Sequence, residues 1–170
     1  AVSRCCAIFT LILFFSGQVQ VVAPMSRIHA VAGGDVILPC FLKPTMNAAS
    51  HTVEWLRPDL KPKEAHCYRD HRDSEEDQNP SYKGRTSLFK EELKNGNVSL
   101  KLTGVTLSDA GNYTCFIPTV SSTQRPVVQL LVENIGKILY CHLKNYRFTS
   151  LERNQLARFK ITLLGNHTLQ

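Results

Sequence analysis

Cysteine is the residue type in this chain best suited to covalent chemistry, with six in 170 residues: Cys5, Cys6, Cys40, Cys67, Cys115 and Cys141. What they do depends on compartment, because thiols stay reduced in the cytosol and pair outside it. His66, Cys67 and His71 lie close together in sequence, yet no second ligand pair with zinc spacing accompanies them, and neither a metal nor a cofactor is expected. Glu75-Glu76-Asp77 is expected to be a solvated loop with weak affinity for calcium at most. Glycine-rich phosphate loops, His-Glu-x-x-His and Gly-x-Ser-x-Gly are all missing from the sequence, so no catalytic residue is assigned and an enzyme is not expected. The chemistry that remains is cross-linking and surface modification.

The compartment follows from the start of the chain. Arg4, the apolar run from Cys5 to Phe15 and the small pair Ser16-Gly17 have the order of a cleavable secretory signal, too short to span a bilayer. Residues 1–17 are therefore expected to be removed, taking Cys5 and Cys6 with them. Cys40, Cys67, Cys115 and Cys141 are left in an oxidising environment, where three pairings are possible in principle.

Context chooses among them. In Asp109-Ala110-Gly111-Asn112-Tyr113-Thr114-Cys115, positions two apart share a strand face, so Tyr113 and Cys115 point inward while Asn112 and Thr114 point out. Val36, Leu38, Cys40 and Leu42 alternate in the same way, and the single tryptophan, Trp55, follows. The order Cys40, Trp55, Cys115, with a tyrosine two residues before the second cysteine, is the signature of an immunoglobulin sandwich. It pairs Cys40 with Cys115 across two sheets, packs Trp55 on the bridge and places Tyr113 at a corner. The long gap between the cysteines admits two extra strands. The expected fold is therefore all-β, an immunoglobulin-like V-type two-sheet sandwich with Greek-key connections, over residues 18–133. Cys67 and Cys141 are left to pair with each other, to join two chains or to stay reduced.

The elements that must hold these residues follow from turn residues and alternation. A first edge strand is expected within Gln18 to Ala32, interrupted at Pro24, and the Cys40 strand follows Gly33-Gly34. The Trp55 strand ends in the turn Arg57-Pro58-Asp59-Leu60-Lys61-Pro62, and Glu64 to Arg69 is the next strand, before a solvated stretch from Asp70 to Asn79. Arg85 to Lys90 and Val98 to Leu102 form a hairpin across Lys94-Asn95-Gly96-Asn97. Pro118 to Arg125 is a loop before a last strand with Val128, Leu130 and Val132 inward. Arg85 and Asp109 should meet at the bottom of such a sandwich as a bidentate ion pair. Three glycosylation sequons begin at Asn97, Asn112 and Asn166.

Charge is unevenly distributed. Residues 18–133 hold 13 Lys plus Arg against 13 Asp plus Glu, so the formal net charge of +6 belongs mostly to the stretch 134–170. A nucleic-acid surface needs its cations on one ordered face with aromatics between them, which a secreted sandwich gives little reason to expect, so no nucleic-acid partner is expected. In that basic stretch the longest apolar runs, such as Ile161-Thr162-Leu163-Leu164, fall far below the ~20 residues of a membrane helix, so no span is expected there.

Several segments are also family-like. Val36-Ile37-Leu38-Pro39-Cys40, Val53-Glu54-Trp55-Leu56-Arg57, His66-Cys67-Tyr68-Arg69, Tyr82-Lys83-Gly84-Arg85-Thr86 and Ser108 to Phe116 together resemble the amino-terminal variable domain of the butyrophilin family and its myelin-glycoprotein relatives. The resemblance covers about residues 19–133 and departs at Cys67, where relatives carry an aliphatic residue. It implies a cell-surface recognition protein, displayed outside the plasma membrane or secreted, that binds a receptor of the immunoglobulin superfamily on another cell and modulates T-cell activation. The same face could instead serve homophilic adhesion through a homodimer. On either reading the working surface is the outer face of the sheet holding the Trp55 and Tyr113 strands, with Glu54, Leu56, Tyr68, Thr114, Phe116, Thr119 and Val120 as its contact residues.

Overall fold

The computed structural model describes residues 18–120 and 125–134; the expected signal, Cys141, Asn166 and nearly all of the basic stretch lie outside them. Eleven strands are present among the described residues: β1 (Gln20–Val22), β2 (Arg27–Val31), β3 (Val36–Leu38), β4 (Phe41–Lys43), β5 (Val53–Leu56), β6 (Glu64–Arg69), β7 (Arg72–Ser74), β8 (Thr86–Leu88), β9 (Leu100–Leu102), β10 (Gly111–Phe116) and β11 (Val127–Glu133). They form one six-stranded sheet in the order β2-β11-β10-β5-β6-β7, a three-stranded sheet β3-β9-β8 and a pair β1-β4. Among the described residues no helix is long and apolar enough to cross a membrane.

Alternation builds the core. Val36 and Leu38 of β3, Leu100 and Leu102 of β9, Val53 and Trp55 of β5, Tyr113 and Cys115 of β10, and Val128 and Leu130 of β11 are all buried in one cluster. The disulfide Cys40–Cys115 crosses it with 6.7 Å between Cα atoms. Closing a loop of that length stabilises the fold by ~4–5 kcal/mol in the chain-entropy model. The Trp55 indole lies beside it, its Nε1–H donating to the Val98 carbonyl at 3.0 Å, so the largest apolar side chain also ties the two sheets together by a polar contact.

Several element boundaries differ from the sequence expectation, each for a local reason. The first strand is not one edge strand: β1 pairs with β4, whereas β2 pairs in parallel with β11 on the other sheet, and the chain changes layer around Pro24, which has no N–H to continue a ladder. The Cys40 strand is broken into β3 and β4 at Pro39-Cys40 for the same reason. There Ser99 bridges the gap, its hydroxyl accepting from the Cys40 N–H at 3.1 Å. In place of the expected hairpin turn at residues 94–97 the chain forms a 3₁₀ helix, Lys90–Asn95, closed by Gly96 at φ 71. A side chain at Gly96 would lie 3.0 Å from the Met46 carbonyl, so this turn needs both the left-handed backbone and the missing Cβ. Asp70 to Asn79 is less solvated than expected, since it contains β7 and buries Gln78 and Asn79.

Candidate functional site

Residues facing each other across adjacent strands share a face of the sheet. Strand pairing therefore fixes the outer surface of the six-stranded sheet as rows of side chains. One row runs Phe116, Glu54, Cys67, Ser74; the next runs Val127, Thr114, Leu56, Glu64; a third runs Asn112, Gln129, Arg27. Arg125 lies over the Phe116 ring with its guanidinium carbon 3.9 Å from the centroid, within the range of a cation–π contact. Burial lifts the Glu54 carboxyl above its ordinary pKa and nearby Glu64 adds to this, while Arg125 and Arg69 oppose it. The Cys67 thiol is also pushed up, first by burial and then by the carboxylates of Glu54, Asp77 and Glu64, against the pull of Arg69. It is half-buried and outside any disulfide. The row thus presents an aromatic ring, a cation and a partly desolvated anion side by side.

Below this face lies a polar hub that the sequence reading did not anticipate, having assigned Arg57 to a turn. The Arg57 guanidinium is buried. Its Nε and Nη2 donate to the two carboxylate oxygens of Asp59 at 2.9 and 2.7 Å. Its Nη1 faces the Tyr82 hydroxyl at 2.8 Å, the Asp109 carbonyl at 3.0 Å and the Tyr113 hydroxyl at 3.2 Å. The Tyr113 hydroxyl donates to the Asp109 carbonyl at 2.8 Å, which uses its one proton, so Tyr82 supplies the proton in the 2.9 Å contact between the two hydroxyls. A Cβ on Gly111 would lie 2.9 Å from the guanidinium, which is why glycine stands at this corner. A signal was available in Arg57-Pro58-Asp59, a cation and an anion two residues apart across a proline turn.

Arg85 and Asp109 form the neighbouring ion pair. Arg85 Nη1 and Nη2 donate to the two Asp109 oxygens at 2.9 and 2.8 Å, and Asp109 also accepts from the Thr106 N–H at 2.7 Å. Burial pushes the Asp109 carboxyl upward, but the Arg85 pair and the Thr106 contacts outweigh it and leave the carboxyl below its ordinary value.

The comparisons with known proteins agree with this geometry. The model of the immunoglobulin V-set domain matches residues 23–133. The chain belongs to the immunoglobulin V-set family. This V-set chain is 38% identical over 120 residues to myelin-oligodendrocyte glycoprotein of Macaca fascicularis, covering 71% of this chain and 48% of that protein. It is 36% identical over 121 residues to human butyrophilin subfamily 1 member A1, covering 71% and 23% respectively. The crystal structure of bovine butyrophilin superposes with a TM-score of 0.61 at 29% identity, covering 69% of this chain and 55% of that one. The chain thus spans about half the length of the myelin glycoprotein it matches and a smaller part of the butyrophilin.

Two of the expected contact residues are corrected by the V-set structure. Tyr68 is not on the outer face: it pairs with Val53, is 3% exposed and donates its hydroxyl to the Ala49 carbonyl at 3.1 Å. The cause is a register shift in β6 opposite Trp55 and Leu56, since a slip of one residue exchanges the faces of a strand. Thr114 does lie in an outer row but is 7% exposed, so it is a floor rather than a contact. Glu54, Leu56 and Phe116 are half-buried. Thr119 is exposed, its hydroxyl 2.7 Å from His51 Nδ1, and Val120 is partly buried against the core.

His66 turns inward as well. Its Nε2 lies 3.1 Å from Asp73 Oδ1 and its Nδ1 lies 2.9 Å from the Thr86 hydroxyl. A carboxylate can only accept, so Nε2 carries the proton and Thr86 donates to Nδ1. Among the described residues no group of three or more His, Cys, Asp or Glu is placed to hold a metal ion. Asn112 is exposed at the start of β10, while Asn97 is half-buried with its side-chain oxygen accepting from the Ser99 N–H at 3.1 Å.

Proposed function

We propose that this V-set module is an immune-type recognition domain at the cell surface or in secreted form. It binds a receptor of the immunoglobulin superfamily on another cell and modulates T-cell activation. The observation that carries the reading is the row Arg125, Phe116, Glu54 on the outer face of the six-stranded sheet. An aromatic ring already capped by a guanidinium, beside an anion that burial has partly stripped of water, gives a partner both an anchor and a charge to match. Kinship to butyrophilin supports the same reading.

Cell-binding screens of the secreted chain test it. Wild type should stain receptor-bearing lymphoid cells and Phe116→Asp should not, with both proteins equally folded. Equal staining by the two would remove this face from consideration.

A second reading has its own support, because a face carrying Arg125 and Glu54 together can match itself about a two-fold axis. Sedimentation at high concentration decides it: a species that stays monomeric throughout rules out homophilic pairing, and a dimer dispersed by Arg125→Glu supports it.

A further inference from the structure

The second row of the outer face leads away from Phe116 into a cleft. About 390 Å³ of open space is bounded by Pro58, Asp59, Gly111, Asn112, Thr114 and Val127, a size within the ~300–1,000 Å³ of small-molecule sites. Its walls divide by chemistry. Pro58 and Val127 offer apolar surface, and Val127 is 48% exposed. Asp59 stands at the edge with its carboxylate side chain 56% exposed. That carboxylate is bound to Arg57 on one side, and its remaining lone pairs face solvent.

Asn112 and Thr114, the first and third residues of the sequon Asn112-Tyr113-Thr114, both line this cleft. The attachment atom and the cavity are therefore contiguous. We propose that Asn112 is N-glycosylated and that the first N-acetylglucosamine of the glycan is seated in this cleft. Its apolar ring face and acetyl methyl lie on Pro58 and Val127, and a hydroxyl donates to Asp59. The inference rests on the secretory part of the proposed function. It deepens that reading by dividing the outer face in two: sugar covers the Asn112, Thr114 and Val127 side, and the Phe116, Glu54 and Arg125 row is what a protein partner can reach.

The modification balances as a displacement. The Asn112 side-chain nitrogen forms a bond to C1 of the sugar of a lipid-linked oligosaccharide diphosphate. The C1–O bond to the diphosphate breaks, the lipid diphosphate leaves with that electron pair, and the amide gives up one proton to base. Transfer precedes folding in the secretory lumen, so the later burial of Thr114 does not hinder it.

The test uses the full chain secreted from mammalian cells behind a cleavable leader. Peptide mapping after glycosidase release in heavy-oxygen water should mark Asn112 in most molecules. In protein trimmed to a single sugar, amide exchange over residues 110–114 and 126–129 should be slowed about tenfold relative to Asn112→Gln. Proton contacts should also link the acetyl methyl to Pro58 and Val127. Protein recovered from the medium has passed the transferase, so an unmodified Asn112 overturns the proposal. A modified Asn112 with unchanged exchange and no such contacts overturns the seating. Either failure leaves the comparison of wild type with Phe116→Asp on cells intact, so loss of this inference and loss of the recognition reading are told apart.

Discussion

The bottom of the sandwich and the outer face of its larger sheet use similar side chains to opposite ends. In the hub, Arg57 is held on every side by Asp59, Tyr82, Tyr113 and the Asp109 carbonyl, and Arg85 grips Asp109 through both of its terminal nitrogens. Among the described residues no buried side-chain nitrogen or oxygen lacks a partner. On the outer face, Arg125 is exposed and rests on an aromatic ring, and Glu54 is half-buried between charges of both signs. The difference teaches where a V-set module keeps its rigidity and where it keeps its valence. Satisfied polar groups in low dielectric fix a geometry and have nothing left to offer, whereas groups stripped of some water but not fully paired remain available to a partner.

Mutation should separate the two regions, and the largest effects belong below. Replacing Cys40 and Cys115 together by alanine should lower unfolding free energy by ~2–5 kcal/mol, enough to prevent folding at body temperature in a small secreted domain; denaturant titration checks this. Asp109→Ala should cost ~3–5 kcal/mol because Arg85 is left charged at a partly buried position, and the midpoint of a urea transition reads it. A loss below ~1 kcal/mol would show the pair to be solvated and would erase the contrast. Tyr113→Phe keeps the ring and removes one hydroxyl from the hub. It should cost ~1–3 kcal/mol, since the Arg57 nitrogen and the Tyr82 hydroxyl each lose a neighbour.

Acid titration sharpens the comparison further, because the two kinds of buried polar group respond in different windows. Burial lowers the His66 pKa below its ordinary 6.5, although Asp73 opposes this. The unfolded chain therefore binds a proton that the folded chain refuses, and the contribution of neutral His66 is complete above that value and is lost as pH falls below it. Asp109 is depressed instead, so its contribution persists through mild acid and disappears only as pH falls from the ordinary carboxylate value through the lower folded one. Melting temperature should decline below pH 6.5, and His66→Gln should flatten that first decline while leaving the second. The smallest effect on stability belongs to the face. Arg125→Ala should shift unfolding by about 0.5 kcal/mol or less, and Phe116→Asp, which removes a half-buried ring from a central strand, by about 1 kcal/mol, while both abolish cell binding.

Much of the fold was legible in the sequence because strand alternation and the Cys40, Trp55, Tyr113, Cys115 set report on the same inward face. Tyr68 was misplaced because the register shift in β6 leaves no mark in alternation, and Thr114 because alternation gives a direction and not the cover that neighbours supply. Arg57 was missed because a charged residue beside Pro58-Asp59 resembles any solvent-facing turn; its burial depends on Gly111 and the two tyrosines, which reach it from 25 or more positions away. Long-range company of that kind leaves little trace in a local pattern.

The change of layer near Pro24 has one more consequence. By giving β1 to one sheet and β2 to the other, the opening of the chain occupies a lateral rim of each. The rims formed by β1, β7 and β8 are each three residues long, too short to template the backbone of a second molecule. Edge-on backbone pairing between two copies is thereby confined to the five-residue rim of β2.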